Sequence, residues 1–272
     1  MRRTRVLTFL NNKGGVGKTT SCINLSAALA ELGKSVLLID SDSQRNATTH
    51  VASELMTSGA MSFSPFMIND GADISEAVVK TRVENLDMIM ADRDIQINVE
   101  TYHKRWARPS ERLKEKLEVI DGLVDYIIID TPPELSLTVE NALAASTHFI
   151  VPVDQGGYAE MGLTNLHDRL LKKIYQINPD LVCLGVLPVM MKKNTAIDKN
   201  ITEKDNFGEE LFKKLPISIP HRQAIVNNTH TGFIAVSKGS KCDVAEAYRE
   251  LAKYVEQHTK TAEQPSASHG VQ

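Results

Sequence analysis

The sequence predicts an α/β fold, a central and mostly parallel β-sheet flanked by helices on both faces. Short runs rich in β-branched and apolar residues alternate with longer segments of helical spacing, the order in which a parallel sheet is wound. One run, Tyr126-Ile127-Ile128-Ile129, is apolar without interruption, as befits a strand covered on both faces. A glycine-rich turn, Gly14-Gly15-Val16-Gly17, joins the first such run to the first helical segment.

In chain order, strands are expected at residues 5–10, 35–40, 86–90, 126–130, 148–152 and 181–188, with a short one at 217–219. Apolar residues at helical spacing predict a helix over 19–32, closed by Gly33. Pro109 and Ser110 announce another helix through residue 120, with Ser110 as its N-cap. A final amphipathic helix spans 243–258, where Val244, Ala247, Leu251 and Val255 share one face for the core. Residues 1–258 are expected to form one domain, and 259–272, small and polar apart from Val271, a flexible tail.

The 272 residues are 42% hydrophobic and 24% charged, the composition of a soluble globular chain. Lysines and arginines number 31 against 34 acids, so the whole molecule carries no polycationic signature of a nucleic-acid binder. The bias is regional: residues 190–260 hold twelve Lys or Arg against nine Asp or Glu. Cys22, Cys183 and Cys242 lack the spacing of a metal cage or disulfide framework, which suits a reducing cytoplasm. No apolar run approaches the roughly 20 residues of a membrane span, and Arg2, Arg3 and Arg5 lead into a strand rather than a signal-peptide core.

The glycine-rich turn carries the chemistry. A phosphate needs donors, and a strand-to-helix turn of this kind offers backbone N–H groups and the positive end of a helix dipole. Gly14, Gly15 and Gly17 supply the turn, with Val16 and Thr20 completing it; Lys18 can reach the β- and γ-phosphates of ATP and the Thr19 hydroxyl can ligate Mg²⁺. The strict P-loop pattern requires glycine where Asn12 stands, and a second lysine, Lys13, follows it. Asp40 and Asp42 alternate at the end of the second strand, and Asp130 closes the run that begins at Tyr126 ahead of Thr131-Pro132-Pro133. Carboxylates at strand ends are the groups that anchor a metal and orient an attacking water.

In these residues, from Thr4 to about Lys260, the chain resembles the deviant-Walker P-loop ATPases typified by ParA and MinD, in the short form with no helix-turn-helix before the phosphate loop. The resemblance implies that Lys13 crosses a dimer interface to the nucleotide of a second subunit. It implies that Asp42 positions the hydrolytic water, making Lys13, Lys18 and Asp42 the catalytic set, and that Asp40 supports the Mg²⁺ shell together with Thr19, Asp42 and Asp130. Pro220 matches the family's Ile-Pro segment lining the adenine, with Met190 its neighbour. The family usually has proline at Ser43 and glycine at Arg45, so this turn departs from the pattern.

By the same resemblance, the partners are a second copy of the chain, DNA bound without sequence preference, and a ParB-like or cargo-adaptor protein that stimulates hydrolysis. The cellular place implied is the cytoplasm, on the nucleoid. Candidate DNA-contacting residues are Lys192, Lys193, Lys199, Lys213, Lys214, Arg222, Lys238 and Lys241, although any single surface lysine is equally a solvated side chain. The final residues lack the bulky apolar face of a MinD-type membrane helix, so no membrane partner is expected. No cysteine closely follows the Asp130 strand to hold an iron–sulfur cluster. Three rival functions share the motif: a weakly hydrolysing ATP-dependent scaffold, a MinD-like membrane-associated regulator, and a small-molecule kinase or ligase, for which Lys13 has no use. Trp106 reads as an anchor of a helix to the core.

Overall fold

The computed structural model describes residues 4–155, 159–192, 204–208, 210–222, 234–237 and 239–259. Its centre is a seven-stranded sheet of β1 (Arg5–Phe9), β2 (Val36–Asp40), β3 (Val78–Lys80), β4 (Leu86–Ile89), β5 (Tyr126–Asp130), β6 (His148–Val153) and β7 (Val182–Pro188). The spatial order is β3-β4-β2-β5-β1-β6-β7. All neighbours pair in parallel except β3, which runs antiparallel to β4 at the edge.

The alternation of side chains along each strand explains why helices cover both faces. Val36, Leu38, Tyr126 and Ile128 pack with α1 (Lys18–Glu31) and the C-terminal helix, whereas Leu37, Ile39, Ile127 and Ile129 face α3 (Phe63–Ile68), α4 (Ile95–Tyr102), α5 (Arg112–Leu117) and α6 (Leu137–Ala145). Between β2 and β3 lies α2 (Asn46–Ala52). After β6 the chain runs through α7 (Ala159–Leu166), a π-helical turn at His167–Leu171 and α8 (Lys172–Ile177). A two-stranded hairpin, β8 (Asn206–Phe207) and β9 (Phe212–Lys213), precedes α9 (Asp243–His258). The α9 positions Val244, Ala247, Leu251 and Val255 are all buried, as their spacing requires. Fully burying a side chain of Leu or Val size contributes about 1.5–3 kcal/mol, so this face holds α9 to the sheet.

Four local expectations are corrected. Residues 217–219 form no strand of the sheet; they are a loop stitched to the end of β7 by Ile219 N–H to Pro188 O and Met191 N–H to Ile219 O. The helix announced at Pro109 is broken, with 3₁₀ turns at Pro109–Glu111 and Glu118–Ile120 around α5. Ser110 caps nothing there, because its hydroxyl donates to Glu140 at 2.7 Å. Thr259, assigned to the tail, is 4% exposed and accepts the Arg5 guanidinium on its carbonyl, while its hydroxyl meets that of Tyr126. The remaining tail, 260–272, lies outside the described residues.

Candidate functional site

The phosphate loop begins where β1 leaves the sheet. Asn11 fixes its start, donating from Nδ2 to Pro152 O at 2.7 Å and accepting from Lys13 N–H at 2.9 Å. Gly15 and Gly17 take φ of 72° and 75°, a left-handed conformation that a Cβ would strain. A Cβ on Gly14 or Gly15 would meet nothing within 4 Å, so open space lies over the loop. Gly17 is the N-cap of α1 and no side chain caps it, which leaves the first N–H groups of the helix for an anion.

The two lysines of the loop face different ways. Lys18 is 6% exposed and lines a cleft of about 520 Å³ together with Gly14, Gly15, Gly17, Thr19 and Thr20. Burial lowers its pKa, opposed by the charges of Asp130 and Asp42, and its Nζ donates to Lys13 O at 3.1 Å. Lys13 is not among the residues that line the cleft. Its side chain is 47% exposed and its Nζ reaches both carboxylate oxygens of Asp154 at 2.7 Å. Val16 sits in the core at 1% exposed and anchors the turn from below.

The three predicted acids occupy different environments. Asp40 is saturated by the protein: it accepts from Thr48 N–H and Thr48 Oγ1, both at 2.8 Å, and from Asp42 N–H at 3.1 Å. Burial raises its pKa, against those hydrogen bonds. Asp130 Oδ2 is buried with no hydrogen-bond partner among the described residues. Burial, with the Asp40 charge adding to it, pushes Asp130 up to about 8, while a hydrogen bond from the Thr19 side chain lowers it. Asp42 accepts from Gln44 N–H at 2.9 Å and lines the cleft. With Gln44 and Pro133 it also lines an adjoining hollow of about 260 Å³ that includes Ser43, Glu134 and Ser136. Asp42 therefore stands where two spaces meet.

Among the described residues no three His, Cys, Asp or Glu side chains converge into a metal cage. The donors fit Mg²⁺ nonetheless. A bare buried carboxylate oxygen beside a Thr hydroxyl is hard-oxygen chemistry, and Mg²⁺ characteristically takes few protein ligands and completes its shell with phosphate and water. Val189, Met190, Ile219, Pro220, Val244 and Tyr248 give the cleft an apolar wall, suited to a nucleotide base. Met190 and Pro220 thus share one cleft with Lys18 although they lie far apart in sequence.

Sequence reasoning passed over Asn46, His50 and Tyr248, which also line the cleft. The i, i+4 spacing of Asn46 and His50 after the Asp42 turn was the available signal. Cys22 is buried beneath this site and donates from Sγ to Asp130 Oδ1 at 3.6 Å. Of the DNA candidates, Arg222 lines the cleft and is ion-paired to Asp243. Lys213 lies on β9 and Lys214 bridges to Val186 of β7, placing both at that edge of the sheet. Lys192 and Lys241 are exposed. Lys193, Lys199 and Lys238 lie outside the described residues. No helix among the described residues is long and apolar enough to cross a membrane.

A family model described as an AAA domain matches residues 4–183. The sporulation initiation inhibitor protein Soj of Bacillus subtilis is 35% identical over 260 residues, covering 92% of this chain and 98% of its own. The chromosome partitioning protein ParA of Caulobacter vibrioides is 33% identical over 255 residues, covering 92% and 93%. Among solved structures, cobyrinic acid a,c-diamide synthase of Mycobacterium smegmatis with a bound ATP analogue and magnesium superposes with TM-score 0.80 at 30% identity, covering 96% and 97%. The septum site-determining protein MinD of Pyrococcus horikoshii shares the fold, with TM-score 0.74 at 24% identity over 94% and 97%. With the phosphate loop, the bare acid at the end of β5 and these relatives in agreement, the chain belongs to the ParA/Soj family of P-loop partition ATPases.

Proposed function

We propose that this ATPase positions or segregates a cargo (a plasmid, a chromosome origin or a protein complex) by an ATP-gated cycle of self-association. ATP joins two copies face to face, the dimer binds DNA without sequence preference, and a ParB-like or adaptor protein on the cargo stimulates hydrolysis and release. The protein works in the cytoplasm on the nucleoid, and no membrane takes part. Relatives named as chromosome partitioning proteins support the biological direction.

The observation that carries this reading is the divergence of the two lysines. Lys18 turns into the cleft of its own subunit, and Lys13, five residues earlier on the same loop, stands outside it and half in solvent. A lysine in that place can meet the phosphates of a second copy, and a contact made only in the dimer is what lets ATP favour the dimer.

Within one subunit, Gly14 to Thr20 hold the triphosphate by backbone N–H groups and Lys18 neutralises it. Thr19 and Asp130 would hold Mg²⁺, which would supply positive charge to offset that of the phosphates. Asp40, already bonded to Thr48 and to the Asp42 backbone, supports that shell by fixing the loop. Asp42, between the two hollows, orients a water on the γ-phosphate. Met190 and Pro220 grip the base. Lys192, Lys213, Lys214 and Lys241, with Lys193, Lys199 and Lys238, form the basic surface offered to DNA, while Arg222 serves the cleft. Residues through Thr259 act as one ATPase unit, followed by a polar tail.

A turnover assay with DNA and adaptor tests the cycle: a hydrolysis rate that rises with adaptor supports it, and none at all favours the scaffold reading. That second reading draws on Arg45, which holds φ at 55° immediately after the Asp42 turn, where a family member usually has glycine.

A further inference from the structure

We propose that Asp154 is a positioning residue that holds Lys13 within its own subunit and so sets the ATP concentration at which two copies join. This rests on the dimer reading of Lys13.

The geometry is specific. β6 ends at Val153, and Asp154 follows it on the rim beside β1. Asn11 ties the start of the phosphate loop to the carbonyl of Pro152 and to the N–H of Lys13, so the Lys13 backbone is fixed opposite the end of β6. From there the lysine side chain closes on Asp154, with Nζ 2.7 Å from both oxygens. An ammonium so engaged cannot also meet a phosphate in another subunit. Every dimer must therefore break this pair on both sides of the interface.

The strength suits a latch that can open. With side chains 47% and 25% exposed, water screens the pair, and a pair of this kind biases an equilibrium by about two- to fivefold. A second bond couples the latch to nucleotide. Lys18 Nζ rests on the Lys13 carbonyl at 3.1 Å, whereas its work is on the phosphates. When ATP enters, Lys18 turns to the phosphates and its hold on the Lys13 backbone is lost, which eases the release of the Lys13 side chain. ATP in one subunit thus prepares that subunit's lysine for the other.

The test is a titration of the full chain with ATPγS, following mass by light scattering, for wild type, Asp154→Asn, Asp154→Ala, Asp154→Glu and the double variant Lys13→Ala/Asp154→Ala. The expected result is a dimerisation midpoint two- to fivefold lower for the Asn and Ala variants, a near wild-type midpoint for Glu, and no dimer for the double variant. A midpoint unchanged or raised in Asp154→Asn, while wild type dimerises, overturns the role of Asp154 alone. A midpoint lowered equally by Glu shows that charge is not the cause and overturns it too. A wild type that stays monomeric at saturating nucleotide removes the dimer reading and this inference with it. Fluorescent-nucleotide binding to each monomer identifies a misfolded variant, and Asp154→Asn and Asp154→Ala then stand as independent tests.

Discussion

Asp40 and Asp130 are register partners across β2 and β5, yet their carboxylates have opposite fates. Asp40 receives three protein hydrogen bonds, and Asp130 keeps a buried oxygen with none among the described residues. Leaving a buried acceptor unmade costs about 1–3 kcal/mol, so Asp130 is a site of stored instability that a cation can relieve.

The first prediction concerns pH. The folded pKa of Asp130 is raised to about 8 from 3.8, so the folded state binds its proton more tightly than the unfolded chain. Its contribution to stability is complete below pH 3.8 and is lost as pH rises through 8. The nucleotide-free Asp130→Asn variant should melt above wild type at pH 8, by at least about 2 °C, and the gap should narrow toward pH 6. In wild type, Mg²⁺ with ATP should raise the melting temperature, whereas the variant should lose the magnesium-dependent part. Parallel melting curves of the two proteins across this pH range decide it.

A second prediction follows from the place of Asp42 between the two hollows. Asp42→Ala should bind ATP near the wild-type affinity while turnover falls by about 10²-fold or more, leaving a nucleotide-bound dimer on DNA. Single-turnover hydrolysis with DNA co-sedimentation reads both. Wild-type turnover would move the water-orienting role to another residue.

A third prediction concerns Arg45. Its φ of 55° costs an L-residue about 1–2 kcal/mol, which glycine avoids. Arg45→Gly should therefore raise the melting temperature by about 2–4 °C. A melting temperature below wild type would show that the arginine side chain compensates for its own backbone.

Much of this molecule was legible in its residues. The uninterrupted apolar run of β5 and the glycine turn after β1 fixed the parallel sheet and the cleft, because both signals are local. What escaped depends on contacts between distant segments. Val78–Lys80 is too short to show a period and becomes a strand only by pairing with β4. Ile217, Ser218 and Ile219 look like a strand yet serve as a loop, since their backbone bonds go to the turn after β7. Thr259 looks like tail and is buried because Arg5 and Tyr126 await it at the far end of the chain. Asp154 belongs to no motif; only the fold brings it to Lys13. The apolar wall of the cleft was legible through Pro220 and Met190, whereas Tyr248 was hidden in the buried face of α9.

If Lys13 joins two subunits through ATP, removing its ammonium in Lys13→Ala must leave the protein monomeric. Light scattering with saturating ATP should find wild type at twice the monomer mass and Lys13→Ala at the monomer mass, with monomer ATP affinity within about threefold of wild type. A Lys13→Ala protein that dimerises as wild type does would show that Lys13 is not the link between subunits.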